Sequence, residues 1–261
     1  MLRDFEMIVH EFPVRSDVHL HFIADVHLGA QEHMEREWAD FCDHLLEDPS
    51  AYVILGGDLI NNATRNSVSN VFDEVMRPRE QKRVMMEMLA PLKNRILCAV
   101  PGNHEGRSGK DADNDPMYDI MCKLDLEDLY RENMAFVKVR IGKKENNGEA
   151  NPTYMLAIMH GTGGGMLPGA TINRNERMGY AIDGADALLV GHSHKPMVSQ
   201  PGKIIIDKRN EQVSIKPFKV IVASSWLSYG GYAARKMLLP STHAPQVITL
   251  HGNKKKITVT M

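Results

Sequence analysis

Residues 20–29, with the sequence LHFIADVHLG, join a strand signal directly to two polar side chains, and the fold prediction follows from this segment. Residues 20–24 form a short, mostly apolar run, which is typical of a strand buried on both faces. Asp25 and His27 come next, two residues apart, and a turn at that point can direct a carboxylate and an imidazole to one metal ion. The rest of the chain can therefore be searched for strands that end in possible metal ligands.

The same arrangement occurs four more times along the chain. Apolar runs end at residues 55, 100, 159 and 190, and each is followed by glycine or directly by a polar residue. The polar residues in question are Asp58, Asn103, His104, His160, His192 and His194. Ligands in folds of alternating strands and helices gather at the carboxyl ends of the strands. We therefore expect two carboxylates, one carboxamide and five imidazoles to lie close together.

Length and composition are those of a folded protein. Apolar residues make up 43% and charged residues 25% of the 261 residues, which excludes wholesale disorder. The net charge is −2, whereas a domain that binds nucleic acid through its phosphates usually has a basic excess. Three dispersed cysteines favour a reducing compartment, and no apolar run approaches the roughly 18 residues of a membrane span. We expect a single cytoplasmic domain over residues 1–261, with no membrane partner.

The segments between the strand signals predict helices. Apolar residues at helical spacing indicate helices over 31–47, 65–93 and 116–131, with Pro78 as a break or kink. From about residue 196 onward the pattern changes to five short strands, most of them joined by polar turns, over residues 204–207, 212–215, 218–223, 246–250 and 256–260. These strands predict a second, more antiparallel sheet.

Two polar segments that follow predicted site residues are interpreted as loops. Residues 105–115 follow His104, and residues 161–179 follow His160. For the second segment we expect a flexible lid or substrate rim, with a tolerated insertion as the alternative. The basic residues that could reach a substrate phosphate are Arg107, Lys110, Arg174 and Arg177.

The residue types at the strand ends favour two metal ions. Imidazoles mixed with carboxylates suit Mn²⁺, Fe²⁺/³⁺ or Zn²⁺, and do not suit Ca²⁺. With one histidine set aside for chemistry, seven ligands remain, which fits two ions that share a bridging carboxylate. Two ions about 3.5–4 Å apart act on both the attacking and the leaving oxygen of a displacement at phosphorus. A single histidine at a strand end is ordinarily structural, but five strand ends of this kind are not expected by chance.

The five motifs resemble, in order and spacing, those of the calcineurin-like metallophosphoesterase superfamily. They are Asp25-Val-His27-Leu-Gly29, Gly56-Gly-Asp58, Gly102-Asn103-His104-Glu105, His160-Gly161 and Gly191-His192-Ser-His194. The resemblance implies an α/β fold built as a four-layer αββα sandwich, with mixed sheets flanked by helices.

The resemblance also implies a role for each motif residue. One metal ion would be held by Asp25, His27 and His194, the other by Asn103, His160 and His192, and both by the bridging Asp58. His104 is similar to the family's non-ligand histidine, which contacts the scissile phosphate and helps to protonate the leaving group. Apart from the resemblance, Glu105 could orient His104, but the side chain of an adjacent residue normally points elsewhere. The implied cofactors are two divalent transition-metal ions, with Mn²⁺ first and Fe or Zn as alternatives.

The expected function is hydrolysis of a phosphodiester or phosphomonoester by in-line attack of a hydroxide that bridges the two metal ions. A small or nucleotide-derived substrate is favoured because neither a large capping domain nor a basic groove is evident. The alternatives are a DNA or RNA nuclease of the same superfamily and a non-catalytic interaction module. Asp58 is followed by Leu-Ile-Asn-Asn rather than the Arg-containing continuation of the Ser/Thr protein phosphatases, which argues against that activity. The sequence leaves the oligomeric state, the native metal and the physiological substrate open.

Overall fold

Two β-sheets form the centre of the fold in the computed structural model, which describes residues 3–67, 71–143, 151–163 and 167–261. The strands are β1 (Ile8–Phe12), β2 (Val18–Ile23), β3 (Ala51–Leu55), β4 (Ile96–Ala99), β5 (Met134–Ile141), β6 (Thr153–Met159), β7 (Ala187–Val190), β8 (Met197–Ser199), β9 (Gly202–Asp207), β10 (Gln212–Pro217), β11 (Lys219–Val222), β12 (Val247–Leu250) and β13 (Ile257–Thr260). The helices are α1 (Glu35–Glu47), α2 (Pro78–Leu89), α3 (Glu105–Ala112), α4 (Pro116–Lys123), α5 (Pro168–Ala181) and α6 (Gly231–Arg235).

The first sheet brings three of the predicted strand ends to one edge. Its strand order is β13-β12-β2-β3-β4, in which β2, β3 and β4 are parallel and β12 and β13 are antiparallel additions. Asp25 follows β2, Asp58 follows β3 and Asn103 follows β4. Because parallel strands end at the same edge of a sheet, these side chains begin close together.

The second sheet contributes the remaining two strand ends. Its order is β1-β5-β6-β7-β11-β8, and β6, β7 and β11 run parallel. His160 follows β6, and His192 and His194 follow β7. The ends of these strands lie opposite those of the first sheet.

The packing of the sheets and helices gives four layers. Leu20 and Ile54 of the first sheet share one buried cluster with Leu156 and Leu189 of the second, and each such side chain stabilises the fold by about 1.5–3 kcal/mol. The outer face of the first sheet is covered by α1, α2 and α4. The outer face of the second sheet packs against α5, for example through Met178. The predicted four-layer αββα sandwich is confirmed.

The predicted helices are shorter than their apolar spacing suggests. α1 begins at Glu35 rather than at residue 31. α2 begins at Pro78, because proline has a helical φ and lacks the N–H that the first turn leaves unpaired. Residues 68–70 of the helix predicted over 65–93 lie outside the described residues. The third helix, α4, ends at Lys123 and is followed by a 3-10 turn over Glu127–Leu129.

The segment that begins at Glu105 is helical, so the prediction of a polar loop over 105–115 was wrong. α3 occupies most of it and ends at Ala112, because the next residue, Asp113, has a left-handed backbone (φ 49°) that terminates the helix. Two glycines and a largely polar composition hid this helix from the sequence pattern. Its buried side chain is a carboxylate, that of Glu105.

The prediction that residues 161–179 are irregular was also wrong, since α5 forms from Pro168 onward; residues 164–166 lie outside the described part of the chain. A role of this segment as a lid or substrate rim stays a prediction. The buried positions of α5 are Thr171, Asn175 and Gly179. They lie four residues apart on one helix face, but a search for apolar periodicity misses them because they are small or polar. Arg174 donates to the carbonyl oxygens of Thr162 and Gly163, 2.6 Å away in each case, so it binds the loop before the helix.

The five C-terminal strands were correctly predicted as strands but wrongly as one sheet. β9 and β10 pair only with each other in the described structure, β11 joins the second sheet beside β7, and β12 and β13 extend the first sheet. Alternation of apolar residues identifies a strand, whereas its partner depends on packing between segments distant in sequence.

Candidate metal centre

The backbone at the predicted ligands is in the left-handed region at five positions. They are Asp25 (φ 55°), His27 (50°), Asp58 (53°), His192 (68°) and His194 (55°). Residues with a side chain rarely adopt this conformation, which costs on the order of 1–3 kcal/mol each. Strain of this kind persists where the surrounding structure enforces it, and it concentrates at functional sites. The turns therefore direct these side chains at the expense of local backbone stability.

Two glycines allow the turns after β3 and β4 to touch. Gly57 has a φ of 88°, and a Cβ there would lie 2.3 Å from the backbone nitrogen of Gly102. A Cβ at Gly102 would lie 2.0 Å from Oδ1 of Asp58. A side chain at Gly102 would displace the Asp58 carboxylate, and one at Gly57 would push the two turns apart.

The first cluster contains Asp25, His27 and His194. Nε2 of His194 lies 3.3 Å from Oδ1 of Asp25 and 3.2 Å from Nε2 of His27. Nε2 of His27 lies 3.9 Å from the same Asp25 oxygen. Three possible ligand atoms thus converge, two of them on buried residues.

The second cluster contains Asp58, Asn103, His160 and His192. Oδ1 of Asn103 lies 2.7 Å from Nδ1 of His192 and 3.2 Å from Nε2 of His160. That His160 nitrogen is also 3.2 Å from Oδ2 of Asp58, while Nδ1 of His160 bonds the carbonyl of Gly56 at 2.8 Å. Asp58 Oδ2 lies 3.9 Å from Nε2 of His27 in the first cluster. The Asp58 carboxylate therefore lies between the two clusters.

The chemistry of these groups fits divalent cations. Oδ2 of Asp25 is buried and has no hydrogen-bond partner among the described residues, and an unpaired buried carboxylate oxygen is costly unless a cation compensates it. Burial lowers the pKa of His27 well below its usual range, and the neighbouring His104 adds to that shift, so the His27 imidazole is neutral. Burial opposes ionisation of Asp58, but His104 and His160 hold its pKa well below the usual value. A neutral imidazole at His27 and an ionised carboxylate at Asp58 are ligands that divalent transition metals prefer. Against the effect of burial, Asp58 raises the pKa of His160 to about 10 and Asp25 raises the pKa of His194, so these two imidazoles would release a proton on binding a cation.

His104 lies beside the clusters with a defined orientation. Its Nδ1 donates to the carbonyl of Asn61 at 2.8 Å, which places its second nitrogen, Nε2, 3.8 Å from Oδ2 of Asp58. An Nη2 of Arg107 donates to the same Nε2 at 2.9 Å. Burial lowers the pKa of His104 to about 4, opposed by Asp58 and reinforced by Arg107. The His104 imidazole is also close enough to His27 and Asp58 to share a metal ion with them. The metal content of a His104 variant therefore distinguishes a ligand role from a non-ligand role.

Glu105 supports the Asp58 turn, and its carboxylate points away from His104, as is usual for an adjacent side chain. Its carboxylate accepts the backbone N–H groups of Asp58, Leu59 and Gly102, each at 2.8 Å. Burial and the neighbouring Asp58 charge raise the pKa of Glu105 to about 7, although the hydrogen bonds oppose that shift. One buried side chain thus binds the turns after β3 and β4 together.

Glu105→Gln is expected to destabilise the chain by about 2–4 kcal/mol, because the amide replaces one acceptor oxygen with a donor facing backbone N–H groups. Urea unfolding measures this loss. Glu87→Gln, at an exposed ion pair with Arg83, is the matched control and should change stability by less than about 1 kcal/mol. Equal stabilities of the two variants would contradict this role for Glu105.

The sequence analysis missed two residues that hold the first turn in place. Ser225 and Trp226 follow β11, and the Trp226 N–H donates to the carbonyl of Asp25 at 3.0 Å. The Ser225 hydroxyl donates to the same carbonyl at 3.2 Å. The sequence predicts a strand over residues 218–223, directly before Ser225 and Trp226. It does not predict that this strand pairs in parallel with β7, which is what places the two residues beside Asp25.

Comparison with known proteins identifies a family for the chain. A family model described as calcineurin-like phosphoesterase matches residues 18–196, a range that contains both clusters. No curated protein matches the chain significantly. Among solved structures, the chain is similar to a conserved uncharacterized protein, a predicted phosphoesterase, from Streptococcus pneumoniae TIGR4, with 12% identity, a TM-score of 0.39, and coverage of 94% of this chain and 89% of that one. Within the described residues, no helix is long and apolar enough to cross a membrane.

Proposed function

The chain belongs to the calcineurin-like phosphoesterase family, and from this premise we propose that it is a metal-dependent hydrolase of a small or nucleotide-derived phosphodiester or phosphomonoester. The observation that carries the proposal is the convergence of possible ligands from five strand ends, with Asp58 between the two clusters. A cytoplasmic location belongs to the same proposal, and three free cysteines support it because disulfides are rare in reducing compartments.

The proposed cofactors are two divalent transition-metal ions, with Mn²⁺ first. Asp25, His27 and His194 would hold one ion, Asn103, His160 and His192 the other, and Asp58 both. When bound, such ions supply a nucleophilic water at neutral pH and positive charge for the phosphate oxygens. The strained turns and the Glu105 carboxylate hold the ligands in position before binding, which reduces reorganisation on binding.

The proposed role of His104 is to protonate the leaving oxygen through Nε2. The Asn61 carbonyl holds the proton on Nδ1, and the Asn61 amide in turn donates to Glu74. In the free protein His104 is neutral, because burial lowers its pKa. The negative charge of a phosphate ester bound beside it favours the protonated imidazole, from which Nε2–H can be donated.

Arg107 is proposed to bind a phosphate oxygen beside His104. Its Nη1 donates to the Asn61 carbonyl at 2.8 Å and its Nη2 to Nε2 of His104 at 2.9 Å. Nη1 therefore holds the guanidinium in place. Nη2 occupies the position from which a leaving group would accept a proton from Nε2 of His104. A planar guanidinium can donate two hydrogen bonds to phosphate oxygens. If Nη2 of Arg107 donated to a bound phosphate instead of to His104, Nε2 of His104 would be available to donate its own proton.

Arg107→Ala is expected to raise KM and the inhibition constant of inorganic phosphate about ten- to a hundredfold, the equivalent of a hydrogen bond to a charged group. Steady-state kinetics with phosphate as inhibitor measures both constants. Lys123→Ala, at an exposed lysine that ends α4, removes a positive charge away from the predicted site; it is the control and should leave both constants unchanged. Unchanged constants in Arg107→Ala would remove Arg107 from the substrate site.

The proposed function is tested with the purified chain loaded with Mn²⁺ and assayed on bis-p-nitrophenyl phosphate and on p-nitrophenyl phosphate. Hydrolysis of at least one substrate is expected, with loss on chelation and recovery on metal addition. The ratio of the two rates distinguishes a diesterase from a monoesterase. Absence of metal-dependent hydrolysis of both would contradict the proposal.

A further inference from the structure

The ribbon of β9 and β10 carries an apolar face. Ile204 lies opposite Ile215, and Ile206 lies opposite Val213. Alternate residues of a strand share a face, so these four branched side chains lie together. They are 73%, 76%, 69% and 71% exposed, respectively.

The opposite face of the ribbon is the one attached to the rest of the protein. Lys203 donates to the carbonyl of Ile182 and lies 5.0 Å from the ring centre of Phe218. Lys216, which is opposite Lys203 in register, forms an ion pair with Asp186 at 3.4 Å. Because Lys203 and Lys216 alternate with the four apolar residues, the apolar face is directed away from both sheets.

The size of this face is that of the apolar patches that often have a function. Four branched side chains with this exposure present on the order of 500 Å² of contiguous apolar surface, as large as the largest apolar patch of a typical monomer, about 300–600 Å². A two-stranded ribbon is also marginally stable in water unless another element covers one of its faces. The ribbon therefore has the features of a surface that is covered in solution.

We propose that a second copy of this chain covers the face, so that two ribbons stack across a two-fold axis. Two patches of this size bury about 1,000 Å² together, which reaches the area of a specific interface. Stacked faces of β-branched residues lie about 10 Å apart and interdigitate as sheets do in sandwiches. An isologous interface of this kind closes at the dimer.

The charges at the end of the ribbon favour a second copy over an anionic partner. The exposed charged residues there are Asp207, Lys208, Arg209 and Glu211, two of each sign. A nucleic acid or an anionic membrane would be bound by a basic rim. Because this rim has equal numbers of acidic and basic side chains, it can pair with the same rim of a second copy of the chain.

Light scattering coupled to size exclusion tests the inference on the full chain at about 1–100 µM, the range in which an interface of this size associates. The expected mass is twice the 29.3 kDa of one chain. Ile206→Lys combined with Val213→Lys should yield the monomer. Gln212→Lys combined with Ser214→Lys is the matched control, since it adds the same charge to the opposite face and should remain dimeric.

A second pair of substitutions, Ile206→Thr with Val213→Thr, keeps the β-branched shape in case lysine disturbs the ribbon, and should raise the dimer dissociation constant at least about tenfold. A wild-type chain that stays monomeric at the highest concentration overturns the inference. So does a dimer that persists in both face variants, or one that the control substitutions dissociate equally. None of these outcomes depends on phosphoesterase activity.

Discussion

Asp58→Asn is expected to lower turnover by several orders of magnitude while the fold persists. Oδ2 of Asp58 lies 3.2 Å from Nε2 of His160 in one cluster and 3.9 Å from Nε2 of His27 in the other, so it is the side chain that both clusters share. Asparagine keeps the shape and can still accept the His104 backbone N–H through Oδ1, which lies 2.8 Å away in the wild type. What it removes is the negative charge that compensates two cations.

Steady-state turnover and circular dichroism measure the two parts of this prediction. Asp43→Asn, at an exposed position on α1, makes the same chemical change away from the clusters and should behave as wild type. Near-normal turnover in Asp58→Asn would remove Asp58 from the metal centre.

His104→Ala is expected to retain both metal ions and to lose about 10²–10⁴ in rate, the usual range for general acid catalysis. The loss should be smaller for a p-nitrophenyl ester than for an alkyl ester, because p-nitrophenolate leaves with less need of a proton. Rates on both substrates and the metal content are the measurements.

The control is His44→Ala, whose imidazole is exposed on α1; its rates should not change. Equal losses on activated and unactivated esters would assign His104 to phosphate positioning instead of proton donation. A fall in metal content would show that His104 is a metal ligand, since it lies close enough to His27 and Asp58 to bind the same ion.

The strand ends were predictable because their signal is local. Asp25, Asp58 and His160 each follow an apolar run within a few residues, and the two sheets bring those ends together. Their proximity is observed, whereas their assignment as ligands of particular ions stays a prediction, as does the assignment of residues 1–261 to a single domain.

What the sequence missed depends on contacts between distant segments. Glu105 directly follows His104 in the sequence, yet its carboxylate accepts the backbone N–H groups of Asp58 and Gly102. The buried face of α5 consists of Thr171, Asn175 and Gly179, which hydrophobic periodicity does not register.

The sheet partners of the C-terminal strands follow the same rule. β11 pairs with β7 and β12 pairs with β2, although both strands lie in one continuous C-terminal run. Strand pairing of this kind reflects the packing of the finished fold, and local alternation of apolar residues carries no information about it.

The metal content of the purified chain, measured by elemental analysis after equilibration with Mn²⁺ and removal of free ions, tests the central claim most directly. The account predicts two ions per chain in the wild type and fewer in Asp58→Asn, with Asp43→Asn unchanged. A folded wild-type chain that retains no ion, or an Asp58→Asn variant that retains two, would contradict a metal centre bridged by Asp58.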